Sequence, residues 1–563
     1  MSEMNINENM QLQSQQQMQA QNQPQVQYQP QAGPQQQMQF RQQPKPKTLY
    51  DTAVKENFHI FGAASFLYAC LYAFCMYRNN SGVTYSFFVV GSIVFICYCL
   101  SKLGITWEKS KCFYMISMVL LSVSTFSTDD GRIIFFNKLG VFLLTISMLL
   151  SIVYNTKKWN LGKFLSSICV TCLMVIGEIY TPFADFVWYC KNKLDKKNSK
   201  YLYILLGIVI TIPLFLIVFA LLSSADAVFR NMSDMLLKNL DFGDFILICW
   251  MLFFMFVASY SIMVFLCKKS LNEEVKDSRK GEPLVAIPVA TILSLLYLVF
   301  SVIQIVFLFM GNMQLPKGYT YAEYAREGFF QLLAVGILNL ILVLVGLCYF
   351  RPNKVLKVVL AVMSGCTFIM LASSAMRMLI YIQYYYLTFL RILVLWSLVV
   401  LFLIFSGVII YIFKDNFPLF RYSMVVVTCL YLVLSFSHPD YWIAKVNVAG
   451  SQESRSEFFK GECYNDYALL RGLNTDAAPV MIQWMQEGGC DLEYYYECEK
   501  GTTYGEFMKD RENTGMKMTE TQGRAALYYL ENMRDRVGDI TIRNFNISRF
   551  MADRMVEVRV RGY

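Results

Sequence analysis

Charged residues beside long apolar runs are the first candidates for chemistry, because a charge near hydrocarbon is costly and is usually paired or functional. Glu323 and Arg326 stand three residues apart within Gly318–Phe330, so they share one face of a helix. Tyr321 and Tyr324 flank them at the mouth of an apolar run. The pattern fits a ligand or headgroup site, or a structural ion pair with an aromatic interface anchor. The sequence favours the structural interpretation.

Three further charges fall on the same predicted side of the apolar runs. Asp226 ends a run after two serines, and Arg377 and Arg391 bracket the aromatic connection Met378–Phe389. We predict a shared polar cluster on this side; the alternative is that each side chain snorkels separately to the interface. The predicted cluster consists of Asp226, Tyr321, Glu323, Tyr324, Arg326, Arg377 and Arg391.

An acidic pair, Asp129 and Asp130, lies in a short loop between two apolar runs. Enzymes that transfer sugars from lipid carriers combine many membrane spans with an acidic outer loop, so the pair is compatible with a glycosyltransferase. A simple turn over Thr128–Gly131 explains the same residues equally well.

Metal, redox and nucleophilic chemistry have little support. Cys169 and Cys172 form a CxxC, but it lies inside an apolar run without a cluster of His or carboxylate residues. His59 and His438 are the only two histidines, which argues against a zinc site and a Ser-His-Asp triad. No P-loop motif is present, which disfavours a self-contained ATP-driven pump. We therefore predict no catalytic residue, no cofactor and no metal.

The elements that must position these residues are membrane-spanning helices. The chain of 563 residues is 56% hydrophobic and only 16% charged, and a crossing helix needs about 20 mostly apolar residues. We predict an all-α integral membrane protein with about 11 transmembrane helices, within a range of 10–13. The expected spans are 58–77, 83–101, 112–127, 133–154, 202–222, 245–267, 284–310, 328–350, 355–375, 387–413 and 418–436.

The run 161–190 does not fit a simple span. Lysines flank it on both sides, so it begins and ends on the same predicted side, and 30 residues are too few to cross twice. We predict a re-entrant or interfacial segment that is broken near Pro182 and carries Glu178 as an intramembrane charge.

Charge counts orient the helices. Between Lys191 and Arg421, one set of alternate loops carries 15 Lys and Arg residues and the other carries 6. The richer set should be cytoplasmic, which predicts a cytoplasmic N-terminus and an extracytoplasmic C-terminus in a cytoplasmic (inner or plasma) membrane. The net charge of +9 then reflects topology, and no nucleic-acid partner is expected. The first strong apolar run starts only near Phe58, so we expect an uncleaved insertion signal.

Three regions follow from these patterns. Residues 1–43 are a Gln-rich segment predicted to be disordered, residues 44–438 form the transmembrane domain, and residues 439–563 form a small, mostly helical extracytoplasmic domain. In the last region we predict amphipathic helices over 464–473, 476–485 and 521–534, with Asp476 as an N-cap. Two of the three cysteines there could form a disulfide, with Cys490–Cys498 more local than a bond to Cys463.

Four stretches carry a resemblance to a known family: Leu221–Phe229, Gly318–Phe330, His438–Asn447 and Ile542–Arg549. Their order and spacing resemble the bacterial membrane proteins grouped as domain of unknown function 4173, a relative of group 4153. The segment 465–479 also resembles that family, and the likeness runs from Phe58 to the C-terminus. It implies the architecture and no activity. His438 stands where the family usually has Asn, so no special role is expected for it.

The leading functional hypothesis is a non-catalytic protein of the cell envelope that senses or scaffolds through its outer domain. Its expected partners are the lipid bilayer and an envelope protein bound by that domain. A secondary transporter of a small solute or lipid is the alternative, because Gln304, Gln331 and Asn339 place polar groups within spans. The lipid-sugar glycosyltransferase is third.

Overall fold

A computed structural model shows how the chain is arranged. It describes residues 48–193, 242–306, 321–452, 466–490 and 517–561, apart from short gaps at 80, 107, 157–158, 160, 270 and 272–278. Scattered positions of 207–232 are also described. The Gln-rich tail, most of the predicted span 202–222, Cys463 and Cys498 lie outside the described residues. Within the described part all regular elements are helical, which confirms the all-α prediction.

The first four helices cross the bundle in alternate directions. They are α1 (Phe58–Met76), α2 (Thr84–Lys102), α3 (Cys112–Ser127) and α4 (Gly131–Val153). Each, with the short helical turn before α3, passes the length and hydropathy requirements for a membrane span. Large apolar side chains such as Phe66, Leu67 and Phe87 are more than half exposed on these helices. In a bilayer such faces contact lipid, because hydrocarbon is their solvent.

The segment that follows is broken, as the sequence predicted. Helix α5 (Leu161–Ile176) and helix α6 (Thr181–Lys193) are bent by 53° across a four-residue turn. Pro182 lies in the first turn of α6, where proline is tolerated, so the break precedes it by a few residues.

Contacts of α5 and α6 lie at one end of the bundle. The rings of Phe164 and Phe420 are 4.2 Å apart, and the Tyr50 hydroxyl donates to Asp185 at 2.6 Å. Tyr50 precedes α1, and Phe420 lies in the first turn of the helix Leu419–Ser435. These two helices begin at the same end of the bundle, so both contacts lie at that end. These contacts favour the re-entrant arrangement over a crossing helix.

The second half of the bundle contains six helices. They are α7 (Phe242–Lys268), α8 (Pro283–Gln304), α9 (Tyr321–Tyr349), α10 (Lys354–Tyr385), α11 (Phe389–Phe413) and α12 (Leu419–Ser435). Asn353 and Thr388 cap α10 and α11 with side-chain hydrogen bonds to backbone N–H groups. Among the described residues nine helices qualify as spans alone, and up to 11 if each bent pair counts as one. That range agrees with the predicted number.

Five C-terminal helices form a compact layer that we call the cap. They are α13 (Pro439–Gln452), α14 (Asp466–Arg471), α15 (Ala478–Glu487), α16 (Glu520–Val537) and α17 (Ile547–Arg561). Their core contains fully buried side chains such as Met481, Met485 and Tyr529, and it packs against the start of α11. The cap therefore lies at the end of the bundle where α1, α3 and α12 end, which we call the junction end.

Candidate functional site at the charged junction

The acidic pair of the α3–α4 loop is built into a turn. The hydroxyl Oγ1 of Thr128 accepts a hydrogen bond from the Asp130 N–H at 3.1 Å. Asp130 in turn caps α4, because its Oδ1 accepts from the N–H of Arg132 at 2.9 Å. The turn interpretation of Thr128–Gly131 is thus correct. The turn also aims the neighbouring carboxylate, Asp129, away from α4 and toward the cap.

Asp129 is held by two arginines of the cap. Its Oδ1 lies 2.7 Å from Nε and 2.6 Å from Nη2 of Arg549 in α17. Its Oδ2 lies 3.5 Å from Nη1 of Arg536 in α16. The Asp129 side chain is only 1% exposed, and burial raises the pKa of its carboxyl even though both arginines act to lower it. A buried carboxylate in this state depends on its cationic partners.

Arg132 joins two further carboxylates. Its guanidinium bonds Asp130 through Nε at 2.9 Å and Nη2 at 2.7 Å, and Nη2 also reaches Asp440 Oδ1 at 2.7 Å. The other oxygen of Asp440 accepts from the backbone N–H of Asn474 at 3.1 Å. The guanidinium carbon of Arg132 lies 3.9 Å from the ring centre of Phe389 at the start of α11. One arginine therefore ties α4, α11 and the cap together.

Asp476 does not cap a helix as predicted. Asn474 instead caps the short turn Thr475–Ala477, and α15 begins at Ala478 without a side-chain cap. The Asp476 carboxylate is buried and accepts a short hydrogen bond from Thr128 Oγ1. The prediction failed because the tertiary partner competes for the oxygen that a local cap would use.

His438 faces the other oxygen of Asp476. Its Nδ1 lies 3.3 Å from Asp476 Oδ1, and the hydrogen bond to this carboxylate raises the pKa of the imidazole. His438 also occupies the bend between α12 and α13 with a positive φ of 47°. His438 therefore has a carboxylate partner in the cap, and the expectation that it has no special functional role stays a prediction.

Backbone contacts extend the junction to α1 and α2. Asn546 Nδ2 donates to the carbonyl of Thr128 at 2.8 Å and to that of Ser81 at 3.3 Å. The guanidinium of Arg543 donates a short hydrogen bond to the carbonyl of Tyr77. The N–H of Val83 donates to the carbonyl of Phe545 at 2.9 Å. The stretch 543–546 is thus hydrogen-bonded to the α1–α2 loop and to the α3–α4 loop.

The charged groups nearly balance one another. We call this set the charged junction: Thr128, Asp129, Asp130, Arg132, His438, Asp440, Asp476, Arg536 and Arg549. It holds four carboxylates and three guanidiniums, and His438 supplies a fourth cation when protonated. Among the described residues no group of three or more His, Cys, Asp or Glu side chains could hold a metal ion. The arrangement can clamp the cap to the bundle, and protonation of His438 strengthens the clamp.

The structure describes only some side chains of the polar cluster predicted from the sequence. The backbone of Tyr321, Glu323, Tyr324 and Arg326 is helical within α9, but their side chains lie outside the described ones. Asp226 is exposed, and its Oδ1 accepts from the Val228 N–H at 2.8 Å. The cluster therefore stays a prediction.

The two arginines predicted for that cluster lie near the junction end of α10 and α11. Arg377 is 9% exposed, and its Nη2 lies 3.4 Å from Gln304 Oε1. Arg391 donates through Nη1 to the carbonyls of Tyr385, at 2.5 Å, and Tyr386. Its guanidinium carbon lies 4.3 Å from the ring centre of Tyr381. Arg391 thereby closes the turn between the two helices.

Glu178 lies in the turn between α5 and α6. Its carboxylate accepts from Lys268 Nζ at 2.7 and 2.8 Å and from Thr181 Oγ1 at 2.7 Å. The backbone carbonyl of Glu178 accepts from Ser261 Oγ at 3.1 Å. These bonds attach the break to α7, away from the charged junction.

Some of the junction residues lie in stretches that the sequence analysis had singled out. Asp440, Asn546 and Arg549 lie within the stretches that resemble a known family, as does His438. Arg132 and Arg536 lie outside those stretches and had no signal. The contact between the α3–α4 loop and α17 joins residues more than 400 positions apart, which no local pattern predicts.

Comparison with known proteins identifies a family without a known activity. Residues 115–484, about two thirds of the chain, match the family described as "Domain of unknown function (DUF4153)". The sequence analysis had named group 4153 as a relative of group 4173, and the match is to group 4153. No curated protein matches the chain, and no solved structure matches it.

Proposed function

Because the chain belongs to the family described as Domain of unknown function (DUF4153), for which no activity is assigned, we propose a function from the charged junction. We propose a non-catalytic membrane protein of the cell envelope that senses or scaffolds through its C-terminal cap. The narrower assignment to group 4173 rests on the sequence pattern alone. The observation that carries the functional proposal is the clamp of Asp129 between Arg536 and Arg549.

The clamp couples the cap to the spans more strongly than a surface contact would. Breaking one partner of a buried ion pair typically costs about 3–5 kcal/mol, whereas an exposed pair contributes about 0–1 kcal/mol. Beneath the junction, Asn137 Oδ1 accepts from Tyr431 at 2.9 Å and from Ser435 at 2.7 Å. These bonds hold α12 against α4. Force or ligand binding at the cap would therefore reach the spans through rigid polar contacts.

The proposed location follows from charge. The loops richer in Lys and Arg lie at the end opposite the cap, and such loops are usually cytoplasmic. We therefore propose a cytoplasmic membrane in which residues 439–563 form an extracytoplasmic domain and the N-terminus is inside. An envelope protein is the proposed partner of the cap.

Photo-crosslinking in intact cells tests the proposal. A benzophenone amino acid replaces the exposed Gln483 of α15, and the matched control carries it at the exposed Ser110, at the opposite end of the bundle. We expect covalent adducts with defined envelope proteins from position 483 and a different set from 110. We also expect Arg549→Gln to change the adducts at 483, since it loosens the clamp. Absence of protein adducts at 483 and at the half-exposed Tyr528 of the cap would contradict the proposal.

A transporter is the second candidate, and one observation favours it. Between α8, α9 and α10, Ser373 Oγ donates to Gln304 Oε1 at 2.6 Å, and Asn339 Nδ2 donates to Thr367 Oγ1 at 3.0 Å. A polar row therefore continues into the bundle. Solute-dependent uptake into proteoliposomes, reduced by Asn339→Leu, would support this alternative. For the glycosyltransferase no comparable observation exists, because arginines occupy the carboxylates of Asp129 and Asp130.

A further inference from the structure

Buried polar side chains line the contact between α8, α9 and α10. We call them the polar seam: Ser301, Gln304, Asn339, Thr367 and Ser373. Each is at most 5% exposed. Side chains of this kind can simply join helices by hydrogen bonds, as in many membrane proteins. That explanation requires the polar atoms of the seam to be paired with one another.

The seam occupies one level of the bundle. Helices α8 and α10 run parallel, because Ser294 Oγ donates to the carbonyl of Val359 at 3.4 Å and, further along both helices, Gln304 pairs with Ser373. Ser301, one turn before Gln304, therefore lies opposite the part of α10 between Thr367 and Ser373. Asn339 reaches Thr367 from α9. Ser301 and Asn339 thus approach the same stretch of α10 from two sides.

Two atoms of the seam have no hydrogen-bond partner among the described residues: Asn339 Oδ1 and Ser301 Oγ. Asn339 is 0% exposed and Ser301 is 2% exposed. Exchanging the amide oxygen and nitrogen of Asn339 does not remove the problem, because one end of the amide then still faces no partner. Thr367 offers no donor either, since its hydroxyl donates to the carbonyl of Met363 at 2.8 Å.

A buried polar atom without a partner is costly in hydrocarbon, and internal water molecules commonly satisfy such atoms. We propose that the polar seam binds internal water at Asn339 Oδ1 and Ser301 Oγ. Water fits because it donates to the amide oxygen and can either donate to or accept from the serine hydroxyl. A cation is disfavoured because Arg377 approaches the same Gln304. This inference does not depend on the function proposed for the cap.

Radiolytic hydroxyl-radical footprinting of the full-length protein in lipid nanodiscs tests the inference. Radicals formed from a bound water oxidise methionines beside it even when bulk solvent cannot reach them. Met363 and Met370 of α10 are 1% and 2% exposed, and Met148 of α4 and Met481 of the cap are both 0% exposed. We expect Met363 or Met370 to be oxidised several-fold faster than Met148 and Met481. Equal rates for all four would overturn the proposal, as would occupation of the seam by a solute other than water.

Substitutions locate the water within the seam. Asn339→Leu removes the unpaired oxygen and should lower oxidation of Met363 and Met370 to the level of Met148. Ser301→Ala is a smaller change that preserves the packing and should lower it in the same direction. Ser406→Ala, at a partly exposed serine of α11, is the matched control and should change nothing. Unchanged oxidation in both Asn339→Leu and Ser301→Ala would overturn the proposal.

Discussion

The carboxylate of Asp129 shows how much a single residue of the junction depends on distant partners. It lies in a loop of the bundle, and the arginines that neutralise it come from α16 and α17. Water is largely excluded from the carboxylate, because the side chain is only 1% exposed. The charge is therefore tolerable only while the cap is docked.

Changing Asp129 or Arg549 should destabilise the protein. We expect Asp129→Asn and Arg549→Gln each to lower the free energy of unfolding by about 3–5 kcal/mol. The first change leaves Arg549 without its carboxylate, and the second leaves the buried Asp129 with only the longer contact to Arg536. The double variant should lose less than the sum, because both partners of the pair are then gone. Thermal unfolding in detergent or nanodiscs measures all three.

The exposed pair Arg351–Glu282 provides the control for that experiment. Its atoms are 2.9 Å apart, but both side chains are at least 60% exposed. Arg351→Gln should therefore change stability by no more than about 1 kcal/mol. If Arg549→Gln proves equally mild, the junction is not a clamp.

His438 should make the clamp sensitive to pH. The Asp476 carboxylate raises the folded-state pKa of His438 above the unfolded value of about 6.5. The pairing energy is then fully present below about pH 6.5 and is lost as the pH rises through the folded pKa. Wild type should lose more stability than His438→Gln when unfolding is compared between about pH 6 and about pH 9. The exposed His59 supplies the control: His59→Gln should keep the wild-type pH dependence.

At the scale of elements, the backbone of the segment 543–546 packs directly against the loop between α1 and α2. A Cβ on Gly82 would lie 2.6 Å from Cα of Asn544 and would also collide with the carbonyl of Arg543. Backbone atoms cannot move aside as a flexible side chain does, so only glycine fits here. The loop and the cap are thus matched through main-chain contact as well as through charge.

Gly82→Ala should therefore displace the 543–546 segment. We expect lower thermal stability and faster proteolysis of the last helix, α17, in the purified protein. Gly365→Ala in α10 is the matched control, because nothing lies within 4 Å of a Cβ at that position. Equal thermal stability and equal proteolysis rates for the two variants would show that the close approach at Gly82 does not stabilise the protein.

The spans were predictable and the cap contacts were not, for a physical reason. Helices such as α8 and α11 follow from apolar composition and length, because a bilayer imposes both. The break near Pro182 was predicted because proline disfavours a helix interior, and Pro182 indeed lies in the first turn of the helix that follows the break. The partners of Asp476 and His438 lie on other elements. A local sequence pattern does not indicate which distant residues are close in space. Local capping rules therefore assigned Asp476 the wrong partner.

At the scale of the whole molecule, the two ends of the bundle differ in kind. At the junction end, polar and charged groups of the cap meet the loops before α2 and α4 and the start of α13. At the opposite end, Lys and Arg are abundant in the loops, and the pair Arg351–Glu282 is largely exposed. From this asymmetry the positive-inside rule predicts the orientation of the protein.

We predict that the cap lies outside the cytoplasmic membrane. In the predicted topology α5–α6 does not cross the membrane, and the cap and the Lys-rich loops lie on opposite sides. Locating one of them therefore locates the other. Gln483→Cys in the cap and Ser110→Cys before α3 place one exposed thiol at each end. A membrane-impermeant maleimide on intact cells, after cell-wall removal where needed, should label position 483, and position 110 should be labelled only after lysis. Unsubstituted protein measures the native thiols, such as Cys169 and Cys172. Labelling of 110 from outside, with 483 protected until lysis, would show that the orientation is the reverse.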